Sequence, residues 1–428
     1  MKAAFLTLGC KVNQYETQAM EDILKEHGHT IVPFAPGADA YIINTCSVTS
    51  TGDKKSRNAV RKARRMGEGA IVAVCGCYSQ LCPDKAAELG ADLVGGSSQR
   101  REFISQLETV FLDRQQKISI DEPFSRREFE ILPPGGMAGR TRAMLKVQDG
   151  CTNFCTYCVI PFSRGAVRSI TIEDALEQTR TLINEGYKEI ILTGIEIASW
   201  GRDLEGKPAP KELFSAICRR AGDVRIRLGS LEPRIVDEEF CRELSQYKNL
   251  CPQFHLSMQS GCDETLKRMG RKYGTERFFL SVSLLKEYFP GCAVTTDMIT
   301  GFPGEDENEF CKSLAFIEKC AFSSMHIFPY SEREGTKAAS FPGKVPIKER
   351  ELRAERATAV AKKMHEEYLA SLVGSVQEVL YETVNDGISK GHAPNYVTVC
   401  CPGEYSNTVI PTRITAVYVE NLVGEAIK

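Results

Sequence analysis

Short apolar runs alternate with longer polar, helix-prone segments along most of this chain, and that alternation restricts its fold more than any other feature. Ala3–Leu8, Ala40–Asn44, Ala70–Val74 and a run near Asp92–Val94 read as strands. Gln14–His27, Gly52–Met66, Pro83–Leu89 and Gln99–Leu112 read as helices between and after them. Such alternation makes a parallel sheet covered on both faces. Residues 1–120 are therefore expected to form a doubly wound α/β domain. In such sheets ligands gather beyond the carboxyl ends of the strands. Cys10, Cys46 and Cys77 each follow a strand end, which would bring three distant thiols to one sheet edge. The plain alternative is that they are small buried hydrophobes, as free cysteines often are. Cys75 rivals Cys77, because alternation along a strand points both the same way; Cys82 reads as structural.

Residues 121–139 are rich in Pro, Gly and charge, including Pro133-Pro134-Gly135-Gly136, and read as a linker. Arg140 and Arg142 then lead into the strand Ala143–Val147. Five more strands follow in βα succession: Glu189–Thr193, Arg225–Gly229, Gln253–Ser257, Cys292–Ile299 and Ser324–Pro329. The helices before them are Thr171–Glu185, Lys211–Ala221, Asp237–Gln246, Thr275–Tyr288 and Glu305–Lys319. Six strands are fewer than the eight that close a full barrel. An open, partial (β/α)6 barrel is expected over residues 140–369, with functional loops at its strand carboxyl ends. Gly194-Ile195-Glu196, Gly229–Pro233, Met258–Gly261 and Gly301–Glu305 all fall there.

The first barrel strand delivers Gly150-Cys151-Thr152-Asn153-Phe154-Cys155-Thr156-Tyr157-Cys158. This C-x3-C-x2-C spacing has no fourth Cys or His close behind it. A structural zinc site wants four protein ligands, and a ferredoxin cluster wants four thiolates. Three close thiolates suit a cubane cluster with one iron left open to a small molecule. The bland alternative is three incidental cysteines in a Cys-rich chain.

A chain of 428 residues with 42% hydrophobic content can build two or three cored domains. Its net charge of -2 offers no global field to attract nucleic acid, so any such contact must rest on local patches. Lys54, Lys55, Arg57, Arg61, Lys62, Arg64 and Arg65 crowd one predicted helix. They read either as a solvated face or as a phosphate-contact surface. There are 17 cysteines, and the opening, Lys2 followed by only six or seven apolar-to-neutral residues, does not read as a signal segment. No run approaches the roughly 18 apolar residues a membrane span needs. A cytoplasmic protein is expected, whose thiols serve metal or redox chemistry and not disulfides. Pro346–Leu369 reads as one long helix. Residues 370–428 hold short β-rich runs, Val376–Tyr381, Tyr396–Cys400 and Arg413–Glu420, punctuated by Gly387, Gly391 and Gly424. They predict a small antiparallel barrel. Acids outnumber bases there, so RNA contact would depend on shape and a few residues, and Cys400-Cys401 reads as structural.

In this context Cys151, Cys155 and Cys158 resemble the cluster loop of the radical S-adenosylmethionine superfamily. The whole chain resembles its methylthiotransferase branch. Leu8-Gly9-Cys10-Lys11-Val12-Asn13-Gln14-Tyr15-Glu16-Thr17 is similar to the opening of the subgroup that modifies N6-threonylcarbamoyladenosine, t6A37, in tRNA. Asn44-Thr45-Cys46 and Gly76-Cys77-Tyr78-Ser79-Gln80 match the family's other N-terminal motifs, and that match selects Cys77 over Cys75. The resemblance implies two [4Fe-4S] clusters. One, on Cys151, Cys155 and Cys158, would chelate S-adenosylmethionine and cleave it to a 5'-deoxyadenosyl radical. The other, on Cys10, Cys46 and Cys77, would carry the inserted sulfur, methylated by another S-adenosylmethionine. Gly194 and Glu196 resemble the loop that holds the methionine amino group, with Ile195 where the family has a glycine. Ser230, Glu232 and Gln259 stand where cofactor contacts are expected, and Tyr157 resembles an aromatic residue that stacks near adenine. The C-terminal barrel resembles the TRAM RNA-binding module. Lys54, Lys55, Arg57, Arg61, Arg64 and Arg65 are the candidate RNA contacts. The partners implied are the tRNA anticodon loop, an external electron donor and a sulfur source, with no membrane.

The activity implied is methylthiolation of t6A37. Its neighbours in the family act on isopentenyladenosine or on a ribosomal-protein aspartate, and the Lys11-Val12-Asn13 opening argues against both. A different class would be a non-catalytic iron–sulfur carrier or sensor with an RNA-binding module. The open-iron spacing and the Glu196 loop speak against it.

Overall fold

The computed structural model describes residues 1–134 and 141–427. Gly135, Gly136 and Arg140, from the expected linker and its exit, lie outside the described residues, as does Lys428. The first unit runs β1 (Lys2–Thr7), α1 (Lys11–Glu26), β2 (Thr30–Val32), β3 (Ala40–Thr45), α2 (Ser50–Met66), β4 (Ile71–Gly76), α3 (Cys77–Leu81), α4 (Pro83–Glu88), β5 (Leu93–Gly95), α5 (Arg100–Asp113) and β6 (Lys117–Ser119). Its strands form one parallel sheet in the order β2-β1-β3-β4-β5-β6. Tyr15, Met20, Ile23, Phe103 and Leu107 of α1 and α5 cover one face. Ala59, Val60, Ala63, Tyr78 and Ala86 of α2, α3 and α4 cover the other, so the sheet is doubly wound as expected. Edge strands β2 and β6 escape a reading by apolar runs, because each is only three residues long and polar residues interrupt both.

The segment expected as a linker is anchored at a few points where it is described, with Pro123, Arg126 and Leu132 buried. Arg126 is buried and donates to Asp121 and to Gln80 Oε1 at 2.7 Å. Leu132 joins the first core.

The central unit follows as β7 (Arg142–Asp149), α6 (Ile160–Arg164), β8 (Arg168–Ser169), α7 (Ile172–Asn184), β9 (Glu189–Gly194), α8 (Pro210–Ala221), β10 (Arg225–Leu228), β11 (Ser230–Leu231), α9 (Glu238–Leu244), β12 (Gln253–Gln259), α10 (Asp263–Arg268), α11 (Thr275–Tyr288), β13 (Ala293–Thr300), α12 (Glu307–Cys320) and β14 (Ser324–Pro329). β7, β9 and β10 pair in parallel, as do β11, β12, β13 and β14. Only Gly229 separates β10 from β11, so the strands make one arc left open on a side. α1 packs against β7 and β9 of that arc: Met144 and Ile191 share a core with Tyr15 and Ala19. The long helix α13 (Ile347–Ser371) then lies along β14, with Pro346 as its N-cap residue.

The last unit comprises β15 (Val376–Asn385), β16 (Ile388–His392), β17 (Thr398–Pro402), β18 (Thr408–Tyr418) and β19 (Asn421–Ala426), closed into a barrel. It is not antiparallel throughout, because β17 and β19 pair in parallel where the barrel closes. Gly391 and Gly424 lie within strands and do not merely punctuate them. A Cβ at Gly391 would stand 2.1 Å from the Leu380 carbonyl oxygen, and one at Gly424 2.6 Å from Thr412 Cγ2, so a tight barrel needs both bare. Arg142, Arg225 and Arg227 at the amino ends of the central strands hold this barrel, through Glu382, the Glu378 carbonyl and the Pro394 carbonyl. Among the described residues no helix is long and apolar enough to cross a membrane.

Candidate active site

The sheet of the first unit brings Cys10, Cys46 and Cys77 to its carboxyl edge. A Cβ built on Gly9 would lie 2.9 Å from Cys46 Sγ, which places Cys46 against the turn that carries Cys10. Each thiol of the trio lies within electrostatic reach of the others. Asn13 stitches the two turns: its Nδ2 donates to the Leu8 carbonyl at 2.8 Å and to the Thr45 carbonyl at 2.9 Å. Asn44 returns the bond, donating to the Asn13 carbonyl at 3.0 Å. Cys10 is accessible to solvent yet densely surrounded, as a side chain on a cleft floor is, and burial pushes its thiol up. Burial likewise pushes Cys46 up to about 11.

Alternation does not in fact carry from Cys75 to Cys77. β4 ends at Gly76, whose φ of 104° lies in the left-handed region and whose Cβ would stand 2.4 Å from the Thr45 carbonyl oxygen. The chain turns there, so Cys77 opens α3 beside Cys10 and Cys46 while Cys75 stays in the apolar core. Cys82 stands at the N-cap position of α4, half-buried and without a side-chain capping bond.

Cys151, Cys155 and Cys158 lie on the loop after β7, at the carboxyl end of the barrel. Gly150 turns into it at a φ of 75°, where a Cβ would collide with the Ala166 carbonyl oxygen at 1.9 Å. The loop is pinned to α10 by the Thr156 amide donating to the Met269 carbonyl at 3.0 Å. Arg271 donates to Cys155 Sγ at 3.3 Å and to the Ser257 carbonyl at 3.1 Å. Burial pushes Cys151 up to about 11 and Cys158 up to about 12. Among the described residues no three His, Cys, Asp or Glu side chains converge closely enough to hold one ion. Thiolates bound to separate irons of a cube need no such convergence.

Glu196 lies within electrostatic reach of Cys151. Its carboxyl is pushed up to about 7, by burial first, against the pull of the Arg271 guanidinium and with neighbouring Glu232 adding to it. Its Oε1 is buried without a hydrogen-bond partner. A buried, orphaned carboxylate oxygen is costly until a cation arrives. An amino group carried by a ligand would supply that cation. Gln148 ties this site to the cysteine loop, accepting from the Glu196 amide at 2.8 Å and donating to the Gly150 carbonyl at 2.6 Å.

The other expected contacts divide. Gly194 is packed against the Gln148 carbonyl, 2.9 Å from where a Cβ would sit. Tyr157 meets Phe302 edge-on at 6.3 Å beneath the cysteine loop. Glu232 is buried and paired with Arg234 at 2.8 Å. Gln259 ends β12 at a φ of 71°. Ser230 lines a separate cavity of about 480 Å³ in the barrel interior. That cavity is walled by Gln253, His255, Thr295, Asp297 and His326, floored by Asn395–Thr398 of the last barrel, and bounded by Lys11. Lys54, Lys55, Arg61 and Arg65 are exposed on α2. Arg57 stacks over Tyr78, and Arg64 is engaged internally with Asp92 and the Gly90 and Ala70 carbonyls.

Gln148, Arg271 and Asn13 in its stitching role were not found from the sequence. Arg271 follows a short helix far from the cysteines in sequence, and no local pattern marks it.

A model of the radical SAM superfamily matches residues 145–317, and one described as uncharacterized protein family UPF0004 matches residues 2–96. The threonylcarbamoyladenosine tRNA methylthiotransferase MtaB of Bacillus subtilis is 38% identical over 406 residues, 94% of this chain and 90% of that one. The tRNA-2-methylthio-N(6)-dimethylallyladenosine synthase of Clostridium botulinum is 32% identical over 385 residues, 88% of this chain and 85% of that one. Among solved structures, the radical S-adenosylmethionine methyltransferase TsrM of Kitasatospora setae superposes with a TM-score of 0.58 at 13% identity. That match covers 90% of this chain and 79% of that one, and it is a likeness of fold.

Proposed function

The chain belongs to the methylthiotransferases of the radical SAM superfamily, and from that premise we propose that it converts N6-threonylcarbamoyladenosine in a tRNA to the 2-methylthio derivative. Residues 1–120 would hold the sulfur-donating cluster, 140–369 the radical centre, and 370–428 would engage RNA, with 121–139 joining the first two. Cys151, Cys155 and Cys158 would hold one [4Fe-4S] cluster, and Cys10, Cys46 and Cys77 a second. When bound, the first supplies reductive cleavage of S-adenosylmethionine and the second supplies the sulfur.

The protein's own work is to position and to exclude water. Glu196, whose buried Oε1 has no partner, would receive the methionine ammonium. Gln148 fixes the distance between that carboxylate and the Cys151 loop. Asn13 holds the Cys10 and Cys46 turns together. Arg271 neutralises charge gathering on Cys155.

The observation that carries the choice of nucleoside is the cavity beside Lys11. Lys11, Gln253, His255, Thr295, His326 and Asn395 bring polar groups to its walls, between apolar Leu228, Ala293 and Val397. A carboxylate-bearing threonylcarbamoyl group gains hydrogen bonds from such walls, whereas a dimethylallyl group would leave them unpaired. The name of the relative at 38% identity agrees with that choice. An anticodon loop, with bases splayed for readout, is the RNA element that fits. With such a substrate the protein would work in the cytoplasm, drawing on an external reductant and a sulfur source. The test is anaerobic incubation of the reconstituted, reduced protein with two anticodon stem-loops, one carrying each nucleoside, followed by nucleoside mass spectrometry. Product from the threonylcarbamoyl RNA is expected. Product only from the dimethylallyl RNA would reverse the assignment.

A further inference from the structure

Between the first unit and the partial barrel lies a buried charged network of Glu16, Arg100, Lys146, Asp149, Arg164 and Arg168. Each of these side chains is 4% exposed or less. Four cations meet two carboxylates. The further acid that acts on Arg168, Asp121, is itself paired with Arg126. Buried charge is costly unless it is paired, so a surplus of cations in the interior calls for an anion.

Arg164 shows where that anion would sit. One terminal nitrogen donates to Glu16 at 2.8 Å and to Asp149 at 3.1 Å, and the other donates to Asn13 Oδ1 at 2.8 Å. Its Nε–H is buried and has no partner. Asn13 Oδ1, which accepts from Arg164, also accepts from Cys10 Sγ at 3.8 Å, so the guanidinium lies beside the trio, and Cys77 and Cys10 act on it once they are ionised as cluster ligands. A cubane core on three thiolates carries net negative charge, and its sulfurs accept N–H hydrogen bonds that set its potential.

We propose that Arg164 is a positioning residue for a cluster on Cys10, Cys46 and Cys77: its Nε–H donates to a sulfur there, and the cationic surplus behind it holds that cluster's reduction potential up. This rests on the ligand assignment proposed above. Positive charge favours the more negative, reduced state of a cluster, so removing it drives the potential down. Arg271 stands in the corresponding place for the other trio, donating to Cys155. The two centres are then biased separately by two arginines.

The test uses two full-length backgrounds, reconstituted anaerobically. The C151A/C155A/C158A protein carries only the first-unit cluster, and the C10A/C46A/C77A protein carries only the barrel cluster. In the former, R164M is expected to move the midpoint potential negative in an EPR-monitored redox titration. R164K, which keeps charge but loses the Nε–H, falls between. In the latter, R164M leaves the midpoint where it was. With 15N-arginine labelling, the former also shows nitrogen hyperfine coupling to the reduced cluster, and R164K abolishes it. An unmoved midpoint with iron retained, an equal shift in both backgrounds, or absence of arginine-nitrogen coupling would overturn the proposal. Should R164M fail to fold, the coupling and R164K decide it alone. Absence of any cluster from the C151A/C155A/C158A protein would instead sink the ligand assignment, a result distinct from every other.

Discussion

The two cysteine trios are built in opposite ways. Cys151, Cys155 and Cys158 sit on one loop, and a single turn at Gly150 aims them. Cys10, Cys46 and Cys77 come from three strand ends and meet only because β1, β3 and β4 are neighbours in one sheet. The loop trio is pinned from outside, by Thr156 to α10 and by Arg271. The sheet trio is pinned from within, by side chains of its own motifs, Asn13 and Asn44. A local site tolerates change in the scaffold behind it. A distributed site depends on every strand that feeds it.

The largest expected effect separates the trios outright. C151A should lose one cluster's iron and all cleavage of S-adenosylmethionine, whereas C77A should keep cleavage and lose methylthio transfer. C75A should keep both and cost only about 1–2 kcal/mol of stability from lost burial. Iron content, deoxyadenosine and modified nucleoside measured on the three variants check this, and loss of transfer in C75A with retention in C77A would reverse the ligand choice.

Next in size is the pinning of the loop trio. A hydrogen bond to a charged group contributes about 1.5–3 kcal/mol, so R271M should release iron from that loop about 10- to 100-fold faster. Chelator challenge of the C10A/C46A/C77A protein reads the rate. An unchanged rate would mean the loop alone retains its cluster.

Glu196 gives a smaller, pH-dependent effect. With its carboxyl near 7, the ligand-free protein holds it ionised above that pH and protonated below. An ammonium needs the ionised form. Affinity for S-adenosylmethionine should therefore fall about tenfold per pH unit below about 7. E196Q should bind weakly at every pH and lose that dependence. A pH slope that survives in E196Q would move the titrating group elsewhere.

The smallest effect concerns α2. If Lys54 and Arg61 contact phosphate, K54Q/R61Q should flatten the salt slope of RNA binding by roughly 1.4, at about 0.7 per contact. A slope that does not change returns the helix to a solvated face. Arg64 was among the expected contacts, yet Asp92 and two carbonyls already engage it.

What could be read in the sequence tracks this same contrast. Cys151, Cys155 and Cys158 were legible because their spacing is local. Cys10 and Cys46 were legible because strand ends are, once the strands are found. Cys77 needed resemblance to separate it from Cys75, since a period of two does not foresee the left-handed turn at Gly76. Glu196 was legible as a loop acid, but its orphaned oxygen was not. Edge strands β2 and β6 were too short to show a pattern, and the parallel closure of β17 on β19 belongs to pairing, which no single run encodes.

By itself, the sequence determined the alternation of strand and helix, the partial barrel and the three-thiol loop, because apolar period and close spacing are local properties. Tertiary structure alone decided that Arg164 faces Glu16, Asp149 and Asn13, that Arg271 reaches Cys155, and that Lys11 borders the polar cavity. Those contacts join residues far apart in the chain. They exist only when burial forces charged groups, which no short window of sequence pairs, to find one another.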